Sequence, residues 1–467
     1  MSNDLAFAGA LELAAMVRAR EVSPVELVEL YLGRIERLDP QLNAFVTVDA
    51  DGALAAARAA ETTPTGAPFH GVPLPIKDLH ETAGLRTTFS TKAFAEYVPK
   101  SDQAVVRRLR EAGFVVLGKT NTPELGTIAQ TESELNGACR NPWDTALTPG
   151  GSSGGAAAAV AAGLAPAAHG SDGGGSIRTP ASCCGLVGLK PSRGRVSPAP
   201  YGPGALGLGT SGPVARSVRD AAALLDVMAG AEPGEFFVAP EPERPFASEA
   251  GEDPGRLRIA VTVEPPVQVP VDPECASAAR AAGELLAELG HDVREETPPW
   301  RSDEAIVDFV RVWQVGPAIA GIDDLSLLEP INRALAEDAR ETPSPDAAIA
   351  VARLQALVRR VVAFWAEVDV VVTPTLAMLP VPIGWTYDDT DGDPRLAFAR
   401  QSLFTPFTPL VNVTGQPAMS LPLHWSGSGL PVGVQLIGKP FADAALVRLA
   451  AQLEQARPWM HRRPPLS

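Results

Sequence analysis

Short apolar segments alternate with helical segments along most of the chain, and this alternation limits its possible folds more than any other feature. Short runs of mostly apolar residues are typical of buried strands, whereas apolar residues three or four positions apart are typical of helices. Such alternation predicts an α/β fold, in which a parallel or mixed sheet is flanked by helices. The predicted strands are 72–76, 114–117, 258–262, 368–373 and 432–437, and the predicted helices include 102–112, 273–289 and 346–366.

The N-terminal segment is predicted to be helical. Leu11 and Val17 mark a first helix, and Ser23 followed by Pro24 is a start signal for a second one. The segment from Leu5 to Val22 lacks the basic start of a signal peptide and reads as an amphipathic helix. We therefore expect a cytoplasmic protein with no membrane span.

Composition and charge argue against several classes of protein. The chain has 467 residues, of which 45% are hydrophobic and 20% charged, which is ordinary for a folded globular protein. Acidic residues outnumber basic ones by 55 to 39, and the net charge of −16 repels phosphate backbones and anionic membranes. We expect neither nucleic acid nor a membrane as a partner.

The cysteines and histidines give no sign of a metal or disulfide site. The four cysteines, two of them adjacent, have neither the spacing of a zinc site nor that of a disulfide framework. The six histidines are scattered and form no HExxH sequence. We expect a protein that uses no metal ion and no cofactor.

A lysine at the end of an apolar stretch is the first candidate for chemistry. Burial of the Lys77 ammonium would be costly, which favours the neutral amine, a base, unless Asp78 pairs with it. An ordinary ion pair between Lys77 and Asp78, or an amine that reaches solvent, is an equally simple alternative.

A glycine-rich segment with two hydroxyls is the second candidate. Ser152 and Ser153 lie in GGSSGG at 150–155, and an Ala-rich run at 156–168, predicted to be a buried helix, follows directly. A rigid turn that exposes a hydroxyl is therefore favoured over a flexible linker. Gly150–Gly154 also matches the GxSxG nucleophile elbow, but no downstream histidine has a distinctive context, so we rank that mechanism second.

A second glycine-rich segment is the third candidate. Glycines 173–175 precede Ser176, and their N–H groups can converge on one point as an anion-binding nest, which is how an oxyanion hole can be built. The alternative is a tight turn in which Asp172 and Arg178 form a structural ion pair.

Taken together, these segments closely resemble the amidase signature family of serine hydrolases. The resemblance is carried by Lys77, by GGSSGG and by GSDGGGSIRTPASCCGLVGLKPSRGRVS at 170–197. Ser152 lies 75 positions after Lys77, and Ser176 lies 24 positions after Ser152. It covers most of the chain and is weakest between about 230 and 400. Further similar segments are GKTNTPELG at 118–126, RNPWD at 140–144, NVTGQPAMSLP at 412–422 and GLPVGVQLIG at 429–438.

The resemblance implies a Ser–cis-Ser–Lys triad. Ser176 would be the nucleophile, Ser152 the bridging serine after a cis peptide bond, and Lys77 the terminal base. Members of the family commonly carry a larger residue, often Thr, where this chain has Gly173, so more room is expected beside the acyl group. The resemblance also implies an oxyanion hole at Gly173, Gly174 and Gly175, supporting roles for Ser153, Asp172 and Arg178, and substrate-binding backbone at Gly126, Thr127 and Ile128.

The fold implied by the resemblance is one amidase signature domain over 1–467, with a mixed twisted β-sheet covered by α-helices on both faces. Within it we predict N-terminal helices at 1–60, the signature core at 61–230, a divergent insertion that shapes the substrate pocket at 231–400, and a C-terminal part at 401–467 that completes the core.

The implied function is hydrolysis of a C–N acyl bond in a small-molecule amide (aryl, cyclic or peptide amide), by a monomer or homodimer. Esters and carbamates, including urethanes, follow because they present the same acyl carbon. Aromatic residues of the divergent segment can form an apolar pocket, although each alone is more simply a core residue. They include Phe309, Trp313, Trp385, Tyr387 and Phe398.

Two other functions stay open. The glutamine-hydrolysing subunit of a tRNA-dependent amidotransferase belongs to the same family and would need partner chains. A non-catalytic protein whose glycine loops hold an anion belongs to another class, and retention of Lys77, Ser152 and Ser176 argues against it.

Overall fold

The structure, a computed structural model, describes residues 4–63, 65–204 and 207–467. The predicted N-terminal and core ranges also include residues 1–3, 64, 205 and 206, which lie outside the described residues. Over the described residues the strands are β1 (Phe45–Val48), β2 (Pro73–Lys77), β3 (Val115–Thr120), β4 (Ala167–Asp172), β5 (Val187–Lys190), β6 (Thr210–Ala215), β7 (Arg258–Val261), β8 (Asp292–Glu295), β9 (Val370–Pro374), β10 (Ala418–Trp425) and β11 (Pro431–Gly438). The α-helices are α1 (Ala10–Ala19), α2 (Pro24–Leu42), α3 (Ala50–Thr62), α4 (Ala104–Glu111), α5 (Gly154–Ala161), α6 (Arg178–Cys184), α7 (Val218–Met228), α8 (Phe246–Glu249), α9 (Pro273–Glu288), α10 (Glu304–Trp313), α11 (Val315–Ala318), α12 (Pro330–Glu341), α13 (Ser344–Ala363), α14 (Pro394–Phe404), α15 (Pro409–Thr414) and α16 (Asp443–Ala456).

The larger of two sheets is mixed. In the described part of the chain its strand order is β4-β6-β5-β10-β11-β9-β7-β8. Strand β7 pairs in parallel with β8 and β9, and the remaining neighbours pair antiparallel. The mixed α/β sheet predicted from the sequence is therefore confirmed.

Helices cover both faces of this sheet, as two successive residues of β11 show. Val434 lies in a hydrophobic core that also contains Leu446 of α16. Gln435, the next residue, accepts a hydrogen bond of 2.6 Å from Arg178 of α6. Because successive side chains of a strand point to opposite faces, α16 and α6 cover opposite sides of the sheet.

A smaller sheet positions the candidate lysine. Its order is β1-β3-β2, with β3 parallel to β2 and antiparallel to β1. Strands β2 and β3 are at the predicted places, whereas β1 was not predicted. Strand β2 packs against β4 of the larger sheet, so the end of β2 at Lys77 lies beside the loop that follows β4.

The start of α2 follows the sequence signal. The Ser23 hydroxyl accepts a hydrogen bond of 3.1 Å from the Glu26 N–H, and the Glu26 carboxylate accepts one of 2.8 Å from the Ser23 N–H. Pro24 occupies the first helical position. This reciprocal cap satisfies N–H groups that the first turn of a helix leaves unpaired, and the predicted start is confirmed.

The prediction of one buried helix over the Ala-rich run at 156–168 was wrong in its second half. Helix α5 begins at Gly154 and ends at Ala161, Gly163 follows with a positive φ of 68°, and β4 begins at Ala167. The left-handed conformation at Gly163 ends the helix, because it breaks the repeating backbone hydrogen bonds.

The segment 231–400, predicted as a divergent insertion, contributes β7, β8 and β9 to the larger sheet. It also supplies α10, α12, α13 and α14, and α10 packs against α13 while α12 packs against α14. Residues of α10, α13 and α14 line the largely apolar cavity described below, so this segment shapes one wall of the candidate site.

Candidate active site

Lys77 is fully buried, and its amine is hydrogen-bonded to a serine. Its Nζ donates a hydrogen bond of 2.7 Å to the Ser152 Oγ and a longer one of 3.4 Å to the Ser171 carbonyl. Burial lowers the pKa of Lys77 from 10.5 to about 7, although the charge of Asp172 acts in the opposite direction. A large part of this lysine is therefore the neutral amine near pH 7.

The alternative ion pair between Lys77 and Asp78 is wrong. The Asp78 carboxylate instead accepts hydrogen bonds from the Thr88 N–H at 3.0 Å and from the Thr88 hydroxyl at 2.5 Å. Burial raises the pKa of Asp78, and the charge of Lys119 partly offsets this effect. The Lys77 amine therefore has a hydroxyl, not a carboxylate, as its short-range partner.

The loop before α5 holds Ser152 and Ser153 in different roles. Ser152 follows a cis peptide bond after Gly151 and is 1% exposed. The Ser153 hydroxyl donates a hydrogen bond of 3.1 Å to the Ser171 carbonyl and accepts one of 3.2 Å from the Ser171 N–H. Ser153 also donates its N–H to the Ser176 carbonyl at 3.1 Å, so it ties the two serine loops together.

Ser176 is brought to the same cavity as Ser152. Both serines line a cavity next to the end of β4. Among the described residues, the Ser176 hydroxyl donates no hydrogen bond to Ser152, so the structure joins Lys77 to Ser152 directly and places Ser176 nearby with a free hydroxyl.

Asp172 and Arg178 form a fully buried ion pair beneath the second glycine loop. The Arg178 Nε and a terminal nitrogen donate to the two Asp172 oxygens at 3.0 and 2.9 Å. Burial alone would raise the pKa of Asp172, but the Arg178 guanidinium outweighs it and holds the pKa below its usual range. The carboxylate also accepts the Gly175 N–H at 2.8 Å and the Ile177 N–H at 3.1 Å, so the pair shapes the loop.

The glycine loop leaves part of its backbone free. The Gly175 N–H is already engaged by Asp172. Among the described residues, the N–H groups of Gly173, Gly174 and Ser176 donate to no other group. A carbonyl oxygen that gains negative charge next to Ser176 can be stabilised by such free donors.

Residues 126–128, for which the resemblance implies a substrate-binding role, lie close to the two candidate serines. Gly126 has a positive φ of 70°, and a Cβ added there would lie 3.2 Å from the Ser152 Oγ. Thr127 and Ile128 line the largely apolar cavity beside Ser176.

Two polar side chains that hold this loop were missed. The Gln401 Oε1 accepts a hydrogen bond of 3.0 Å from the Ala129 N–H. The Asn332 Oδ1 accepts one of 2.6 Å from the Thr127 hydroxyl. Both lie at or near the divergent segment and outside the motifs that carry the resemblance, so the sequence contained no signal for them.

Two further contacts of Asp172 and Arg178 lie within recognised motifs. The Asn412 Nδ2 donates to Asp172 at 2.9 Å, and Gln435 accepts from Arg178 at 2.6 Å. Both residues belong to segments that carry the family resemblance, but the resemblance gave them no role.

A largely apolar cavity of about 150 Å³ lies beside Ser176. None of the described residues that line it is charged. Its lining favours the apolar groups of a small organic molecule. The cavity is lined by Thr127, Ile128, Trp300, Phe309, Val310, Trp313, Leu354, Leu357, Phe398, Leu410 and Val413, among others.

The aromatic residues singled out in the sequence have different positions. Phe309, Trp313 and Phe398 line the apolar cavity. Trp385 is buried, packs near Phe404 and lies beneath the guanidinium of Arg400. Tyr387 lines a separate cavity rich in glutamates, so neither Trp385 nor Tyr387 contributes to the wall beside Ser176.

A second, more polar cavity lies on the other side of Ser176. His80 and Ser211 line it, and the Ser211 hydroxyl bonds the His80 Nε2 at 3.0 Å and the His169 Nε2 at 3.2 Å. Burial lowers the pKa of His169 to about 3 and that of His80 well below its ordinary value, so both rings are neutral near pH 7.

The nucleophile-elbow alternative finds no support in these positions. Helix α5 follows Ser152, but over the described residues no strand leads into it, because β3 ends at Thr120. His80 and His169 bond Ser211 rather than Ser152 or Ser176.

The described residues contain no group of three or more His, Cys, Asp or Glu side chains that could hold a metal ion. All four cysteines, Cys139, Cys183, Cys184 and Cys275, are buried free thiols whose pKa is raised by burial. No helix among the described residues is both long and apolar enough to cross a membrane.

The fold and the lysine and serine cluster together define a hydrolase of the amidase class. A family model described as Amidase matches residues 26–447. The chain belongs to this family, the amidase signature family that its motifs resemble. It is an enzyme that hydrolyses C–N bonds other than peptide bonds in small-molecule amides.

Known proteins similar to this chain include cyclic and aryl amide hydrolases. The 6-aminohexanoate-cyclic-dimer hydrolase of Paenarthrobacter ureafaciens is 42% identical, over 97% of this chain and 95% of the relative. A solved structure of 6-aminohexanoate cyclic dimer hydrolase has a TM-score of 0.93 and 38% identity over 99% of both chains. A bacterial aryl acylamidase of the amidase signature family has a TM-score of 0.86 and 27% identity, over 97% of both chains.

Proposed function

We propose that this chain hydrolyses neutral, apolar small-molecule amides, linear or cyclic, through an acyl-enzyme on Ser176. The observation that carries the proposal is the hydrogen bond of 2.7 Å from the buried Lys77 amine to Ser152, whose hydroxyl shares a cavity with Ser176. A neutral amine in contact with a hydroxyl is a base that can act through that hydroxyl.

The proposed first step forms the acyl-enzyme. Ser176 Oγ attacks the amide carbon while its proton passes to Ser152 Oγ and the Ser152 proton passes to the Lys77 amine, which becomes an ammonium. The free N–H groups of Gly173, Gly174 and Ser176 are the proposed donors to the resulting oxyanion. Gly175 shapes this loop instead, because Asp172 already accepts its N–H.

The tetrahedral intermediate then collapses. The C–N bond breaks, and the leaving nitrogen takes a proton from Ser152 while Lys77 returns its own, so the product is a free amine. Water follows the same path: it loses a proton through Ser152 to Lys77 and attacks the ester carbon. The bond from this carbon to Ser176 Oγ then breaks, Ser176 Oγ takes the proton back from Lys77 through Ser152, and the carboxylic acid leaves. All atoms and protons balance without a metal ion or a cofactor.

The lining of the apolar cavity supports neutral substrates. Because none of its described lining residues is charged, it offers no partner for the ammonium and carboxylate of free glutamine. This disfavours the glutamine-hydrolysing alternative. A cyclic amide such as the 6-aminohexanoate cyclic dimer, after which the relative is named, carries no net charge and fits the proposal.

Esters and carbamates extend the proposed substrate range, because both present an acyl carbon that reaches the same type of intermediate. We further propose that the chain acts in the cytoplasm, as a monomer or homodimer, without nucleic acid or another partner chain.

The test is hydrolysis by the purified chain of a panel that contains aryl amides, lactams, the 6-aminohexanoate cyclic dimer, a carbamate and glutamine. We expect turnover of apolar amides, no turnover of glutamine, and mass-spectrometric labelling of Ser176 by a fluorophosphonate. The Ser176→Ala variant is the matched control, and it should bind the same amides without hydrolysing them. If the Ser176→Ala variant hydrolysed these amides as fast as the wild type, the assignment of Ser176 as the nucleophile would be contradicted.

A further inference from the structure

Trp313 divides the two cavities beside Ser176. It is the last residue of α10, and its ring belongs to the wall of both the apolar and the polar cavity. Of the described residues, only Thr127 and Ser176 also line both cavities. A side chain in both walls controls how much room each cavity leaves next to the reacting hydroxyl.

The Trp313 ring lies directly against the glycine loop. A Cβ added at Gly173 would lie 3.2 Å from two ring carbons of Trp313, Cη2 and Cζ3. This is shorter than the ordinary separation of about 3.5–4.0 Å between carbon atoms in contact. At Gly174 the corresponding distance is 3.7 Å, an ordinary contact. The ring therefore occupies the space that a side chain at position 173 would need.

The ring also stacks on a second aromatic ring. Phe309, one helical turn earlier, stacks on Trp313 with ring centroids 5.4 Å apart and an interplanar angle of 25°. A Cβ at position 173 would therefore require the Trp313 ring, on which Phe309 is stacked, to give by a few tenths of an ångström.

From this geometry we infer that Trp313 and Gly173 are a matched pair that selects amides unbranched at the carbon next to the carbonyl. The inference rests on the proposed function, because it concerns the same site. The indole covers the space beside the oxyanion loop, so a methylene chain passes but a quaternary carbon meets the ring. Gly173 is required because any side chain there would displace the indole.

The first measurement compares two probes, the 4-nitroanilides of butanoic acid and of 2,2-dimethylbutanoic acid. Wild type should prefer the unbranched probe. Trp313→Ala should shift the ratio of kcat/KM values about tenfold or more towards the branched probe, because steric exclusion by one or two methyl groups has this size. Trp313→Phe, which keeps a ring in the wall but lacks the indole N–H, should stay within about threefold of the wild-type ratio.

The second measurement is a double-mutant cycle with the unbranched probe. Gly173→Ala should lower kcat/KM about tenfold or more, because overpacking displaces the ring. In the Trp313→Ala background, Gly173→Ala should lower kcat/KM by less than about threefold, since the obstructing ring is gone. Phe398→Ala is the matched control: Phe398 lines only the apolar cavity, so Gly173→Ala should cost as much in that background as in wild type.

Thermal unfolding of each variant checks that it is folded, and Trp313→Leu takes the place of Trp313→Ala in the cycle if the alanine variant does not fold. Additive effects of the two substitutions, or an unchanged probe ratio in Trp313→Ala, would overturn the inference. So would a wild type that fails to hydrolyse the unbranched probe yet hydrolyses other amides. A wild type that hydrolyses no amide of the panel would instead overturn the proposed function itself.

Discussion

Arg178 holds both carboxylate oxygens of Asp172 in the interior of the protein, and neither side chain is exposed to solvent. The two residues are six positions apart and bracket the loop that carries Ser176. The same carboxylate accepts N–H groups from this loop. The ion pair therefore fixes the backbone on which the proposed nucleophile and oxyanion donors lie.

Replacement of Asp172 by asparagine should destabilise the protein and inactivate it. The substitution leaves the Arg178 charge buried without its partner, which typically costs about 3–5 kcal/mol. Chemical denaturation should show this loss in the free energy of unfolding. Arg280→Ala is the control: Arg280 is 53% exposed, its partner Glu295 is 73% exposed, and loss of this pair should cost about 1 kcal/mol or less. An equal loss of unfolding free energy in Asp172→Asn and Arg280→Ala would contradict the stabilising role of the buried ion pair.

Activity should fall as the pH drops through about 7. Burial lowers the pKa of Lys77 to about 7, so the amine is neutral and able to accept a proton above this pH, and becomes an ammonium below it. The lowered pKa values of His80 and His169 keep both rings neutral near pH 7, so neither ring accounts for an acid limb there. We expect kcat/KM between pH 5 and 9 to follow a single ionisation with its acid limb near pH 7.

Lys190 provides the control for this assignment. Burial lowers its pKa to about 7 as well, but its Nζ donates to the Pro191 carbonyl rather than to a serine. Lys190→Met should retain the acid limb, whereas Lys77→Ala should lower kcat by about 10²–10⁴-fold, the usual contribution of a general base. If the acid limb of the pH profile disappeared in Lys190→Met, its assignment to the ionisation of Lys77 would be contradicted.

Gly126→Ala should impair catalysis through Ser152. The added Cβ would lie 2.5 Å from the Leu79 Cδ1 and 3.2 Å from the Ser152 Oγ, so the Leu79 side chain must move and the Ser152 hydroxyl or the loop at 126 must adjust. A displacement of about 1 Å in a catalytic group can cost about 10²-fold in rate. Gly84→Ala separates this effect from backbone strain: Gly84 has a similar φ of 77°, but an added Cβ there meets nothing within 4 Å. Gly84→Ala should lose stability but keep kcat, as thermal unfolding and steady-state kinetics would show.

The sequence predicted the regular elements well where periodicity or a cap was strong, as at α2 and β11. It failed at β4, because Ala167–Asp172 is rich in small and polar residues that resemble a loop, and only pairing with β6 makes this segment a strand. The candidate triad was accessible because Ser152 and Ser176 lie in glycine-rich motifs and Lys77 lies at a definite spacing from them. Trp313 could be named only as one of several aromatic residues that can form the pocket, and Gln401 could not be named at all, because their contacts are with residues far away in the chain.

Gln401→Leu should weaken substrate binding more than it slows the chemical step. The substitution leaves the half-buried Ala129 N–H without its acceptor, which costs about 1 kcal/mol, the low end of the range for a buried unpaired group. The loop at 127–129 should relax, and KM should rise by somewhat less than tenfold, because tenfold corresponds to a loss of about 1.4 kcal/mol. The contact between Lys77 and Ser152 is untouched, so kcat should change less.

Two further variants decide whether Gln401 acts by positioning this loop. Gln401→Glu keeps an oxygen that can accept the Ala129 N–H, so KM should return towards the wild-type value. Gln452→Leu removes a comparable amide, which bonds the His291 ring at 2.8 Å from α16, and should leave KM unchanged. A glutamate variant as impaired in KM as the leucine variant would show that the amide nitrogen of Gln401, rather than its bond to Ala129, is what the substrate requires.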